Sequence, residues 1–134
     1  MPDVAELTQQ INEARERMRR AIQASAGGWE TPRDGGEWTA REVAEHALAT
    51  EVQFAGALAP VAGTDTPGAV ECHFADAAAA EAELSGVIAL ADTVLDQLTD
   101  GDLQKESPVL GNVYATLVLT AHHMNLHALQ MQGL

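Results

Sequence analysis

Basic side chains are scarce in this chain: seven lysines and arginines stand against twenty aspartates and glutamates, a formal net charge of −13. A surface of that sign repels phosphate backbones and anionic headgroups, so neither nucleic acid nor a membrane surface is expected as a partner. Cysteine is nearly absent. With Cys72 alone, no intramolecular disulfide, zinc ribbon or paired-cysteine redox motif can form. No apolar run approaches the ~18 residues of a membrane span, and the start, Met-Pro-Asp-Val-Ala-Glu, lacks the basic-then-apolar order of an export signal. A soluble, cytoplasmic protein is therefore expected. Aromatic residues make up only 4% of the chain. Isoleucine, valine and threonine do not cluster with period two, which leaves little material for a sheet.

What is present is alanine, leucine and helical spacing, in 134 residues. That length suits a single domain, residues 1–134, around one core. Val4, Leu7, Ile11, Ala14, Met18, Ala21 and Ser25 recur at intervals of three and four, with Glu13, Arg15, Arg17 and Arg20 on the other faces. The spacing predicts an amphipathic helix over 3–25, ended by Gly27-Gly28. A loop with Pro32, Gly35 and Gly36 follows. Thr39 with Glu42 then forms a capping box, and Trp38 can pack on Val43 as a hydrophobic staple, so a second helix should start at Thr39 or Ala40 and stop before Pro60. Its stripe is Val43, Ala47, Thr50, Phe54 and Leu58. Residues 60–73 read as a long irregular segment. A third helix is expected over 74–98, with Leu84, Val87, Ile88, Ala91, Leu95 and Leu98 inward, and Thr99-Asp100-Gly101 beyond it. Ser107 as N-cap and Pro108 as first helical residue should open a fourth, running to Gln130. Four helices without a strand candidate make an all-α four-helix bundle.

The fourth helix carries the residues with most to say about chemistry. Its stripe, Val109, Val113, Thr116, Thr120, His123, His127 and Gln130, begins apolar and turns polar toward the C-terminal end, and buried polar groups need partners. His123 and His127 are four apart and project from one face, the spacing at which two helix residues can grip one metal ion. On the second helix His46 lies between Val43 and Thr50, toward the interior. At ~1.5 Å rise per residue, His46 lies ~10 Å from the start of its helix, and the other two lie about as far from the end of theirs. The three rings share a level only if those helices are antiparallel. Residues 60–73 could cross the bundle, since fourteen residues reach ~45 Å against ~30 Å for a 20-residue helix. The topology expected is up-down-down-up, with the long crossover between helices 2 and 3. Three hydrogen-bonded core histidines remain the alternative to a metal site on these residues alone.

Several short motifs carry a family resemblance. Trp38-Thr39 opens a helix, Val43 to Glu51 reads Val-Ala-Glu-His-Ala-Leu-Ala-Thr-Glu, a turn reads Leu98-Thr99-Asp100-Gly101-Asp102-Leu103, and the end reads His123-Met-Asn-Leu-His127-Ala-Leu-Gln130. With these the chain resembles the DinB-like, YfiT-like group of metal-dependent enzymes along nearly its whole length. The resemblance implies an up-down-down-up bundle in which His46, His123 and His127 bind a divalent metal, zinc or nickel. It also implies a small-molecule substrate, with relatives that include thiol S-transferases using a low-molecular-weight thiol and isomerases. Ala128-Leu129 stands where some relatives carry Arg-Gly before the glutamine.

Three neutral imidazoles leave a divalent ion with open positions, for water in a hydrolase or for a thiol in an S-transferase, and the residues do not choose between them. Gln130 could orient a ligand ring from behind. Glu51, five residues past His46, reads as a surface group or a general base. His122 points away from His123 and reads as surface. Cys72-His73 reads as a chance pair on an exposed loop, with an auxiliary ligand or reactive pair as the other possibility. Trp29, Trp38, Phe54 and Tyr114 read as packing, and the acidic residues of helices 1 and 3 as a solvated face. The competing function is a non-catalytic helical bundle that acts by association, and a homodimer is expected under either reading, since four such helices often leave an apolar stripe over.

Overall fold

A computed structural model describes residues 2–32 and 38–132; the Gly35-Gly36 part of the first loop lies outside them. The described chain forms four long helices, α1 (Val4–Ala24), α2 (Ala40–Ala62), α3 (Ala77–Leu95) and α4 (Val113–Met131), with a small hairpin, β1 (Glu106–Ser107) and β2 (Gly111–Asn112), before the last helix. None of the helices among the described residues is long and apolar enough to cross a membrane.

Each helix begins where a side chain can accept a free backbone N–H. Asp3 accepts from Glu6 at the head of α1, and Asp76 accepts from Ala79 at the head of α3. Thr39 and Glu42 close a reciprocal capping box at α2, as their spacing predicts. The apolar stripes meet in one core that includes Leu7, Ile11 and Met18 of α1, Val43 and Leu48 of α2, Leu84 and Val87 of α3, and Leu117 and Met124 of α4.

Polar contacts between helices give the directions. Arg15 of α1 reaches Asp92 of α3 while Gln23, two turns further on, reaches Glu81, so α1 and α3 are antiparallel. Val4 is tied to Asp100 upstream of α4 and Arg17 to Asn125 in its last third, so α1 and α4 are parallel. Trp38 lies near His127 and Phe54 near His123, so α2 runs against α4. The order is up-down-down-up. The connection after α2 therefore returns along the bundle: Thr66 and Pro67 lie beside Gly56, and by Phe74 the chain is back at the head of α2, donating its N–H to Glu45 at 2.8 Å and accepting from the Trp29 indole at 3.0 Å.

Three boundaries differ from the sequence reading. Pro60 does not stop α2, which continues to Ala62 and ends on Gly63 at φ 74°, the left-handed cap glycine favours. Proline forfeits one ladder bond, which a helix can lose near its end. The third helix is shorter than 74–98, because Asp76 caps its start and it ends at Leu95 with Asp96 as the C-cap. At the fourth, Ser107-Pro108 does not start the helix. Leu110 and Gly111 both take positive φ, 57° and 94°, which closes the β1–β2 hairpin and ends any helix begun at Pro108. Asn112 is the cap, accepting from Ala115 at 2.8 Å.

The charged reading of two side chains is also corrected. Arg15 and Glu51, placed on outer faces by their spacing, are 2% and 3% exposed and form an ion pair at 2.8 Å, with Asp92 of α3 on the other side of the guanidinium at 2.9 Å. Two carboxylates, Glu51 of α2 and Asp92 of α3, let an arginine lie in the core. Asp92 is thus not part of a merely solvated acidic face.

Candidate metal centre

Two helices deliver the three histidines to one place. His46 comes after the second turn of α2, and His123 and His127 come one turn apart near the end of α4. His123 Nε2 lies 3.2 Å from His46 Nε2 and 3.1 Å from His127 Nε2. Among the described residues this is the one group of three or more such side chains close enough to share an ion. It sits at the rim of the bundle rather than in its interior, since His46 is exposed and the other two are half-buried. The second helix points His46 outward past Val43 and Ala47, and the α4 rings lean out to meet it.

The spacing and the protons both bear on what the group can hold. A zinc-like ion ~2.1 Å from each nitrogen, with ligand angles between ~90° and ~110°, requires N···N edges of ~2.9–3.4 Å; the two short edges fall in that range, and all three ligand atoms lie within 4.8 Å of one another. The Gln130 carbonyl, 2.8 Å from His127 Nδ1, places that ring's proton on Nδ1 and leaves the Nε2 lone pair facing the other rings. His123 Nε2 can then carry at most one hydrogen, which two close nitrogens would have to share. One cation satisfies all three lone pairs, so the donor set fits a divalent ion.

The local electrostatics favour the neutral form of two of the rings, His123 and His46. Burial, then the neighbouring His127, His46 and His122, hold the His123 imidazole down to about 4. Burial and His127 lower His46 as well. No carboxylate figures among those influences. Glu51, one sequence candidate for a general base, points instead into the core at Arg15. Burial pushes its carboxyl above the usual range while Arg15 pulls it back.

Polar residues higher on the α4 stripe have local partners. The Thr120 hydroxyl donates to the Thr116 carbonyl at 2.8 Å, and the Thr116 hydroxyl bonds Ser107 at 2.8 Å and the Val109 carbonyl at 2.7 Å. Backbone carbonyls and Ser107 therefore account for that half of the stripe's polarity, and the histidines account for the rest.

Two aromatic residues read as packing border the site instead. Trp38 stands edge-on to His46 with centroids 5.2 Å apart, and Phe54 is edge-on to His123 at 5.6 Å. The signal was their spacing: Phe54 is two helical turns past His46, and Trp38 immediately precedes the cap of the same helix. Trp29 and Tyr114 do pack on the core. His122 is exposed, as expected. His73 is exposed and lies 3.5 Å from Glu45, and half-buried Cys72, its thiol pushed up by burial and by Glu83 and Glu45, also stands outside the histidine group.

The architecture and site define a four-helix bundle with a three-histidine group that could hold a metal ion, set between antiparallel α2 and α4. Residues 10–131 match the DinB superfamily, and the chain belongs to it. No curated protein and no solved structure matches the chain.

Proposed function

We propose that the protein is a metal-dependent enzyme in which His46, His123 and His127 hold one divalent ion, zinc or nickel, and that it performs thiol S-transfer or hydrolysis on a small molecule. The observation that carries this reading is the convergence of three Nε2 atoms, two of the edges at 3.1 and 3.2 Å, on a rim open to solvent. When bound, the ion would act as a Lewis acid that lowers the pKa of a water or thiol. This chain's residues supply the rest. Gln130 fixes the His127 tautomer, burial keeps His123 neutral, and α2 and α4 hold the rings at one level. Family membership supports the metal, and the resemblance supports zinc or nickel and a low-molecular-weight thiol as co-substrate. The test is a panel of thiol conjugations and ester hydrolyses run with metal-loaded protein and with His123→Ala. Turnover that needs both metal and His123 supports the reading, and turnover that survives the substitution removes it.

A second feature supports the association that both readings share. On the outer face of α4, Val118, Leu126 and Leu129 are 40%, 51% and 45% exposed, and we infer that a second copy covers them in a homodimer. Light scattering of the native protein and of Leu126→Glu tests this, with a monomeric native protein as the contrary result.

A further inference from the structure

Trp38 is a large apolar side chain left 39% exposed at the mouth of the histidine group. Its indole is edge-on to His46 and nearly parallel to His127, with 9° between the planes and 6.4 Å between centroids. Across the triangle, half-buried Phe54 presents its ring edge-on to His123. The indole is held in place from the backbone. The next residue, Thr39, carries the capping box of α2 and bridges to Pro32, and Arg41 two residues further donates its N–H to the Trp29 carbonyl.

Among the described residues, the three carboxylates of α2 nearest the mouth have partners elsewhere. Glu42 is engaged in the cap with Thr39, Glu45 serves Arg41 and the Phe74 N–H, and Glu51 is buried against Arg15. An exposed indole costs apolar hydration that most proteins avoid by burying tryptophan. Here it lies beside the side from which a ligand would approach the three nitrogens.

Resting on the metal reading above, we propose that Trp38 is a substrate-binding, specificity-determining residue. Its open indole face, with Phe54 across the site, selects ligands whose metal-directed group is attached to a planar or aromatic body. A ligand with an anionic body gains nothing from the negative faces of these rings and loses hydration against them.

Hydroxamates separate the two parts of this statement, because acetohydroxamate and benzohydroxamate share a metal-chelating head and differ by methyl against phenyl. Untagged protein loaded with Co2+ is titrated with each, following the visible absorption of the cobalt. The native protein is expected to bind benzohydroxamate about tenfold more tightly, the size of a good aromatic contact plus its buried area. Trp38→Ala should reduce that preference to within about twofold, with Co2+ and acetohydroxamate affinity held within about twofold, and Trp38→Phe should keep most of it. No phenyl preference in the native protein, or a preference that survives Trp38→Ala, overturns the proposal while leaving the metal reading intact. Native protein that takes up no cobalt removes both.

Discussion

Removing Arg15 should be among the most damaging single changes available in this bundle. Its guanidinium is the only cation paired with Glu51 among the described residues, and the pair lies at 2.8 Å in the core. Burial alone would lower the Arg15 value, yet Glu51 and Asp92 together raise it. The pair already leaves Arg15 Nη2 and Glu51 Oε2 without a hydrogen-bond partner. In Arg15→Met the carboxylate stays buried without compensation, which costs ~3–5 kcal/mol. With an unfolding entropy of ~2.1 cal/mol/K per residue, that corresponds to a fall of about 10–18 °C in Tm. Asp92, whose side chain is 29% exposed, can turn to water, so Glu51 should dominate the loss. The double variant Arg15→Met/Glu51→Leu should recover most of the stability, because two matched apolar groups replace a buried pair at little cost. The deficit of Arg15→Met should also shrink on acidification from pH 7 to 5. Burial raises the folded pKa of Glu51 above its unfolded value, so the folded state binds the extra proton and gains as pH falls. Thermal and urea unfolding of the two variants at both pH values are the assays. A loss below ~1 kcal/mol for Arg15→Met, or a double variant no better than the single, refutes the reasoning.

Other expectations follow from named contacts. Gln130→Leu removes the acceptor that fixes the His127 tautomer and should weaken Zn2+ binding by about 10–100-fold with little change in Tm of the metal-free protein, as read by calorimetric titration. Asn112→Ala removes the α4 cap and should cost ~1 kcal/mol, whereas Ser107→Ala should leave the helix start in place in amide-exchange measurements. In the metal-free protein, the His123 value of about 4 lies below its ordinary 6.5. The unfolded chain thus takes up a proton first, and the contribution of His123, complete above pH 6.5, should be lost as pH falls toward 4. Unfolding of the native protein should show that slope, and His123→Gln should flatten it.

Much of the fold could be read in the residues because local signals agreed with the packing. Thr39 and Glu42 start α2 where their spacing says, and the long segment before Phe74 crosses the bundle as the level of three histidines requires. Errors arose where two local signals competed or where a partner came from a distant helix. Ser107-Pro108 is a good helix start, but Leu110-Gly111 closes a hairpin and passes the role to Asn112. Helical spacing places Arg15 and Glu51 outside the stripes, and only their meeting at 2.8 Å, with Asp92 on the far side, makes burial tolerable. The depth of the site differs from the helical count for a similar reason. His46 shares the interior stripe by count, but its ring reaches the rim, where Trp38 stands. The hydrogen bond from His127 to Gln130, by contrast, follows from three-residue spacing on one helix.

The central claim is that one divalent ion sits among His46, His123 and His127. The direct measurement is metal stoichiometry and binding in untagged protein, by elemental analysis as purified and by calorimetric titration with Zn2+ after chelation. The account predicts close to one equivalent per chain, with binding lost in His123→Ala while the helical content is kept. Less than a few tenths of an equivalent, or Zn2+ binding unchanged in His123→Ala, would contradict it.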